Sequence, residues 1–158
     1  FPLWPDREQL RQTVWQFLPL THILKLSDEE LPFLTGTEDI ETALPQLFTG
    51  DVQLVLYTCG SKGARAYTRT TAASARSPKV TAVDTTGAGD GFIGSFLWQL
   101  QRDGVTAAEL AKLSRKRLTE YLTFSNRFCA LSVQHHGAID SYPTLEQMEQ
   151  PEAAFPLP

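Results

Sequence analysis

Apolar side chains recur every three or four residues in several stretches of the chain, which is the pattern of helices that bury one face. Several of these stretches follow a Pro, Ser or Thr and end near a Gly or Pro, as helices do. The pattern predicts helices at 6–18, 27–35, 37–50, 107–113, 115–133 and 144–148, and a long helix that opens within 83–92 and ends at Gly104.

Shorter apolar runs predict strands at 22–26, 51–58, 64–68 and 80–83, and a further short strand within the loop 70–78. The run 51–58 is apolar on both faces, as in a parallel sheet that helices cover on both sides. The run 64–68 follows it after a glycine-containing turn and is typical of the returning strand of a hairpin. Strands that alternate with helices in this order predict an α/β layer fold.

The composition favours an ordinary globular chain and excludes several classes of partner. With 158 residues, 42% of them hydrophobic and 20% charged, the chain is one domain or a piece of a larger one. No apolar run approaches the roughly 20 residues that span a bilayer, so we expect no membrane partner. The net charge of −4 disfavours a nucleic-acid partner. The one basic cluster, at 112–117, has Glu109 and Glu120 beside it and is better explained as an exposed helix face.

The cysteines and the first residues bear on location and processing. Cys59 and Cys129 have neither metal-site spacing nor a disulfide framework, so we expect reduced thiols in a cytoplasmic protein. Residues 1–6 lack the basic region and the small-residue cleavage site of a signal peptide. They also lack an initiator Met, and we therefore expect a processed chain or a piece cut from something longer.

The segment Val-Asp-Thr-Thr-Gly-Ala-Gly-Asp-Gly-Phe, at 83–92, carries the candidate chemistry. Small residues there let a ligand approach the backbone, and the first N–H groups of the following helix form an anion site. Asp90 would repel that anion, but it would be useful as a base that deprotonates a nucleophile attacking the anion. Phosphoryl transfer to a hydroxyl works in this way. The alternative is a tight turn in which Asp90 caps the helix.

Taken whole, the string Asp-Thr-Thr-Gly-Ala-Gly-Asp followed by Phe resembles the C-terminal signature of the ribokinase-like (PfkB) carbohydrate kinases. The segment 25–30 is similar to the Asn-x-x-Glu region of that family, with Ser27 in place of Asn, and 58–63 to its Thr-x-Gly-x-x-Gly nucleotide loop. Residues 125–138 resemble the stretch that borders adenine, and 1–4 resemble residues that follow a conserved strand in bacterial fructokinases. The resemblance covers nearly all of 1–148 and is greatest to fructokinases.

The resemblance implies a role for each matching residue. Asp90 is the implied catalytic base, and the backbone N–H groups of Gly87, Ala88 and Gly89 are the implied anion hole for the γ-phosphate. The residues implied to bind ATP and its Mg²⁺ are Thr58, Gly60, Lys62 and Gly63 at the phosphates, Asn126 at the adenine, and Glu30 at Mg²⁺ through water. Two alternatives stay open: Glu30 also fits a capping box with Ser27, and Asn126 also fits an ordinary polar residue at the edge of the core.

Many members of the family also bind a monovalent cation, such as K⁺, beside the anion hole. The matching positions in this chain are Asp84, Thr86, Ser132, His135, Gly137 and Ser141, with His135 contributing its carbonyl group.

The resemblance also implies a fold: an α/β, three-layer ribokinase-like fold whose C-terminal portion, 1–148, is a mostly parallel sheet flanked by helices, with 149–158 as a tail. The implied activity is ATP-dependent phosphorylation of a sugar hydroxyl, with fructose converted to fructose 6-phosphate. The partners are then ATP and a monosaccharide.

Members of the family are much longer than this chain, and their first half supplies the lid and the residues that hold the sugar. We therefore expect this chain to lack the sugar site and to be inactive by itself. Missing strands would expose a sheet edge and an apolar helix face, so a homodimer is left open. Two alternatives to a sugar kinase also remain: an inactive nucleotide-binding remnant, and an interaction module on the same scaffold.

Overall fold

The computed structural model describes residues 4–150. The helices are α1 (Arg7–Phe17), α2 (Glu30–Thr35), α3 (Ile40–Leu47), α4 (Ala88–Arg102), α5 (Arg115–Ser132) and α6 (Leu145–Glu149). The strands are β1 (Ile23–Ser27), β2 (Leu54–Thr58), β3 (Ala64–Tyr67) and β4 (Ala72–Ala75). The predicted helices are confirmed, except that 107–113 forms a 3₁₀-helix, Ala107–Lys112. The predictions for 1–3, and for 151–158 of the tail, lie outside the described residues.

The four strands form one sheet in the order β1-β2-β3-β4. β1 and β2 are parallel, with Ile23 opposite Leu54 and Ser27 opposite Thr58. β2 pairs with β3, and β3 with β4, in the antiparallel sense. The α/β class is confirmed, but a mostly parallel sheet was expected and one of the three pairings in 4–150 is parallel. The short connections that precede β3 and β4 explain this difference, since a tight turn can join only antiparallel neighbours.

Alternation along the strands divides the core into two apolar layers, one on each face of the sheet. Leu54 and Leu56 point to the layer that includes the buried faces of α4 and α5. Val55 and Tyr57 point to the opposite layer, with side chains of α1, α2 and α3. Successive side chains of a strand point to opposite faces, so a strand that is apolar throughout requires helices on both sides. The predicted three layers are therefore present.

The strand predicted at 80–83 is wrong, since this segment pairs with no strand in the described part of the chain and Val83 is 51% exposed. The backbone N–H groups of Val83 and Asp84 instead donate to the carbonyl of Val133, over 2.7 and 3.1 Å. Val133 follows the last residue of α5, where helix carbonyls have no partner within the helix. The segment is therefore held by the end of α5 rather than by the sheet.

Helices α4 and α5 pack against each other through a buried polar link as well as apolar contacts. The buried Gln99 side chain donates to the carbonyl of Tyr121 (3.1 Å) and to the Ser125 hydroxyl (3.3 Å). Phe96 meets the Tyr121 ring edge-on, with 5.5 Å between the ring centroids. These contacts fix α4 on the sheet and thereby fix the position of its first turn. None of the helices found within 4–150 is long and apolar enough to cross a membrane.

Candidate active site

A glycine turn leads into α4 and sets the direction of its first N–H groups. Gly87 has φ +77°, a left-handed conformation that side-chain-bearing residues seldom adopt. A Cβ atom at Gly87 would lie 2.9 Å from the Cβ of Ala138. The Tyr142 hydroxyl donates to the Gly87 carbonyl over 2.8 Å. Both the backbone conformation and the crowding therefore require glycine, and Tyr142 is a supporting residue that no sequence pattern indicated.

The first turn of α4 leaves the Asp90 side chain exposed. The N–H of Ala88 donates to the Thr85 carbonyl (3.2 Å), and that of Gly91 to the Gly87 carbonyl (2.8 Å). One of the three predicted anion-hole donors, Ala88, is therefore already engaged. Across 4–150, no donor binds the Asp90 carboxylate, and α4 has no side-chain cap at its N-terminus. The alternative in which Asp90 caps the helix has no hydrogen bond to support it.

The carboxyl ends of β1 and β2 lie side by side, because Ser27 pairs with Thr58 in the parallel register. The N–H of Asp28 donates to the carbonyl of Thr58 over 2.9 Å and links the carboxyl ends of the two strands. Ligands of open α/β sheets bind outside the carboxyl ends of the strands. The segments predicted to bind Mg²⁺ and phosphate are thus brought to the same edge.

The loop after β2 is a tight turn that is crowded at Gly63 and open at Gly60. The N–H of Cys59 donates to the carbonyl of Gly63 (2.8 Å), and Gly63 donates to Gly60 (3.1 Å). A Cβ atom at Gly63 would lie 2.1 Å from the carbonyl oxygen of Ala75, whereas no atom of the described residues lies within 4 Å of the same point at Gly60. Gly63 is therefore needed for packing against β4, while Gly60 leaves room for a ligand. Lys62 is exposed on this loop.

Glu30 forms the capping box that its spacing from Ser27 predicts. Its Oε2 accepts from the Ser27 N–H (2.7 Å), and its own N–H donates to the Ser27 hydroxyl (3.1 Å). Its side chain is still 46% exposed. The reciprocal hydrogen bonds predicted for the capping box are therefore confirmed, although α2 begins at Glu30 with Glu29, not Ser27, at its N-cap. The Glu30 carboxylate remains accessible to a metal-bound water.

Lys25 is a site residue to which sequence reasoning gave no role. Its ammonium lies 3.6 Å from Oε2 of Glu30. It also lies 3.1 Å from the point where a Cβ atom at Gly89 would stand. Lys25 therefore connects the carboxyl edge of β1 to the first turn of α4. The sequence feature that could have indicated Lys25 is its position in β1, where alternate residues face the helices and a charged residue is unusual.

The residues matched to a cation site converge from two distant segments. Asp84 Oδ1 accepts from the Thr86 N–H (2.9 Å), and Oδ2 accepts from the Gly137 N–H (3.1 Å). The Thr86 hydrogen bond, followed by that of Gly137, lowers the pKa of Asp84 to about 2. The hydroxyls of Ser132 and Ser141 are 2.7 Å apart. His135 is exposed in the turn that follows, with its N–H donated to the carbonyl of Ser132.

Asn126 lies inside the molecule, with its side chain used to hold a strand. The residue is 5% exposed, and its amide donates to the carbonyl of Ala75 in β4 over 3.0 Å. This bond agrees with the alternative of a polar residue at the edge of the core. A contact between Asn126 and adenine stays a prediction.

A family model described as pfkB family carbohydrate kinase matches residues 2–145. The chain belongs to the pfkB family of carbohydrate kinases. The resemblance seen in the 84–90 string is thereby confirmed over almost the full length of the chain.

The similar proteins include fructokinases from plants and bacteria, and the similar structures also include an aminoimidazole riboside kinase from Salmonella enterica. "Probable fructokinase-4" of Arabidopsis thaliana is 38% identical over 150 residues, which are 94% of this chain and 44% of that protein. The structure of Xylella fastidiosa fructokinase with bound ATP has a TM-score of 0.84 at 31% identity, over 92% of this chain and 47% of that one. The fructokinase of Vibrio cholerae O395, in its fructose, ADP and calcium ion bound form, has a TM-score of 0.77 at 30% identity, over 93% of this chain and 46% of that one.

These comparisons confirm the ribokinase-like fold of this pfkB family member. They also show that the chain spans less than half the length of each of these three relatives. The fold brings Glu30, Thr58 and Gly60 together at the carboxyl ends of β1 and β2. Lys25 links these strand ends to Gly89 in the first turn of α4. The roles of the individual site residues stay predictions.

Proposed function

We propose that this chain forms the nucleotide-binding and catalytic part of an ATP-dependent sugar kinase, with fructose as the acceptor sugar. The observation that carries the proposal is the exposed carboxylate of Asp90, which accepts no hydrogen bond from residues 4–150 and stands in the first turn of α4, directly after a turn that requires Gly87. The sugar and riboside kinases among the similar proteins support the reaction class, and the fructokinases among them, from plants and bacteria, support the choice of sugar.

In the proposed reaction, Asp90 takes the proton from a sugar hydroxyl as that oxygen attacks the γ-phosphorus of ATP. The bond between the γ-phosphorus and the oxygen bridging to ADP breaks, and the proton remains on Asp90 until solvent removes it. The N–H groups of Gly87 and Gly89 stabilise charge on the transferring phosphoryl oxygens. Ala88 contributes mainly to the turn, because its N–H already binds Thr85. Gly60 and the backbone beside Thr58, Lys62 and Gly63 line the remaining phosphates.

The residues present fit a Mg²⁺ ion held mainly by ATP. Mg²⁺ usually takes one or two carboxylates, with phosphate oxygens and waters completing its shell. Glu30 is half-exposed at the carboxyl edge of β1, and its Oε2 is tied to Ser27, so a water-mediated contact suits it. When bound, the ion neutralises charge on the β- and γ-phosphates. Asn126 would act at the adenine site indirectly, because its amide binds the Ala75 carbonyl and so holds β4 at the edge of that site.

A monovalent cation such as K⁺ fits the loop around Asp84. The carboxylate stays ionised because backbone hydrogen bonds lower its pKa. Carbonyl groups of Thr86, His135 and Gly137 lie in the two segments that Asp84 joins. The cation would stabilise the turn that precedes the anion hole. A cytoplasmic location and a homodimer remain predictions.

The test measures ATP binding to the 158-residue chain by calorimetry, and sugar phosphorylation by the natural protein in which the chain occurs. We expect the chain to bind ATP, and the natural protein to phosphorylate fructose faster than ribose or glucose. The chain alone should transfer little phosphate, because positioning of the hydroxyl supplies about 7–11 kcal/mol of barrier lowering. A chain that binds no adenine nucleotide, or a natural protein that phosphorylates none of these sugars, contradicts the proposal.

A further inference from the structure

Lys25 occupies a position on β1 where an apolar residue would be expected. Alternate residues of β1 point to opposite faces of the sheet, and Ile23 packs against the apolar layer under α4 and α5. Lys25 lies on the same face as Ile23, and its side chain is only 20% exposed. A cation is costly in such a place unless charged or polar groups compensate it.

The compensation that the structure provides is incomplete. Within the described residues, the ion pair of Lys25 is with Glu30, at 3.6 Å, and the oxygen concerned already accepts the Ser27 N–H. Cys129 is also near, but burial raises the pKa of its thiol to about 12. The thiol is therefore neutral at physiological pH and supplies no negative charge.

The other neighbour of the ammonium is itself electropositive. The Lys25 Nζ atom approaches Gly89 at the second residue of α4, where helix N–H groups carry the positive end of the dipole. Two positive groups therefore face the same space, with the half-exposed Glu30 beside Lys25 and the exposed Asp90 one residue after Gly89. An anion with several oxygens, placed between the ammonium and the N–H groups, would satisfy both.

We propose that Lys25 binds the terminal phosphate of the nucleoside triphosphate and makes the site prefer ATP to ADP. This inference rests on the proposed function, because it places the γ-phosphate at the first turn of α4. When ATP binds, the Lys25 ammonium would leave its long ion pair with Glu30 and bind the phosphate instead. The Glu30 carboxylate would then be free to bind the water shell of Mg²⁺. ADP lacks the group that Lys25 contacts, so its affinity should not depend on this side chain.

The test compares ATP and ADP binding to the 158-residue chain by calorimetry, at one fixed Mg²⁺ concentration. The variant Lys25→Met keeps the length of the side chain and removes its charge. We expect ATP binding to weaken by about 10- to 100-fold, the range for a charge-assisted hydrogen bond, and ADP binding to change less than about twofold. Unchanged ADP binding also shows that the variant is folded. If Lys25→Met does not fold, Lys25→Gln takes its place.

The matched control is Lys116→Met, which removes one exposed positive charge near the start of α5. Cys129 lies near Lys25, and Lys116 is 13 residues before Cys129, or about 20 Å along the helix. Lys116 is therefore far from the proposed phosphate site, and its loss should alter neither the ATP affinity nor the ADP affinity. Equal weakening of ATP and ADP, or unchanged ATP binding in the Lys25 variants, overturns the role of Lys25 while leaving the proposed function in place. A wild-type chain that binds neither nucleotide overturns both proposals.

Discussion

Replacing Gly63 with Ala should destabilise the chain far more than replacing Gly60, three residues earlier in the same loop. Gly63 has φ +100° and ψ −150°, a region open almost only to glycine, and forcing another residue into it costs about 1–3 kcal/mol. The added Cβ would also lie 2.1 Å from the Ala75 carbonyl oxygen and 2.8 Å from the Arg76 Cα. These are backbone atoms of the β4 end, which cannot rotate away, so overpacking adds about 1–3 kcal/mol more.

Gly60→Ala is the matched control for this comparison. Gly60 also has a positive φ, +52°, but within 4–150 no atom lies within 4 Å of the position its Cβ would take. Only the left-handed conformation is penalised there, by roughly 1–2 kcal/mol. Urea unfolding of both variants, followed by circular dichroism, measures the two losses. Equal losses, or a greater loss for Gly60→Ala, would refute the packing of this loop against β4.

Two further predictions concern titrating groups. Backbone hydrogen bonds lower the folded-state pKa of Asp84 to about 2, so its carboxylate stabilises the fold above pH 4 and loses this effect as the pH falls from about 4 to about 2. Thermal unfolding should therefore show that Asp84→Asn is less stable than wild type at pH 7 and nearly as stable near pH 2. A stability difference that persists at pH 2 would contradict this role of the Asp84 carboxylate. Burial raises the pKa of both thiols, and that of Cys129 to about 12. A thiol reagent at pH 8 should therefore modify Cys59 first, as peptide mass spectrometry would show; faster labelling of Cys129 would contradict the stronger burial of its thiol.

Features of the chain that depend on near neighbours could be predicted from the sequence. The pairing of Ser27 and Glu30 in a capping box is confirmed by two hydrogen bonds, because both partners lie within one helical turn. Helix α4 follows its glycine turn for the same kind of reason, since the positive φ of Gly87 is a local requirement. The hairpin of β2 and β3 likewise follows from a short glycine-containing connection.

Features that depend on distant contacts could not be predicted in the same way. The run 80–83 has the apolar pattern of a strand, but the carbonyl that binds its end belongs to Val133. Asn126 is committed to Ala75, 51 residues earlier, and no local pattern indicates that bond. Lys25 reaches Gly89 only because β1 lies beneath α4 in the layered fold. In each case the partner is chosen by packing rather than by spacing along the chain.

The measurement that tests the central claim most directly is the turnover of the Asp90→Asn variant of the natural protein, together with its ATP affinity. Asn keeps the shape of the side chain but cannot accept the proton of the hydroxyl. We predict that turnover falls by about 10²–10⁴-fold, while ATP binding is unchanged or slightly tighter because a negative charge near the γ-phosphate is lost. Asp51→Asn, at an exposed aspartate just before β2 at the opposite end of that strand, should leave both quantities unchanged. Near-normal turnover of Asp90→Asn would contradict the role of Asp90 as the catalytic base.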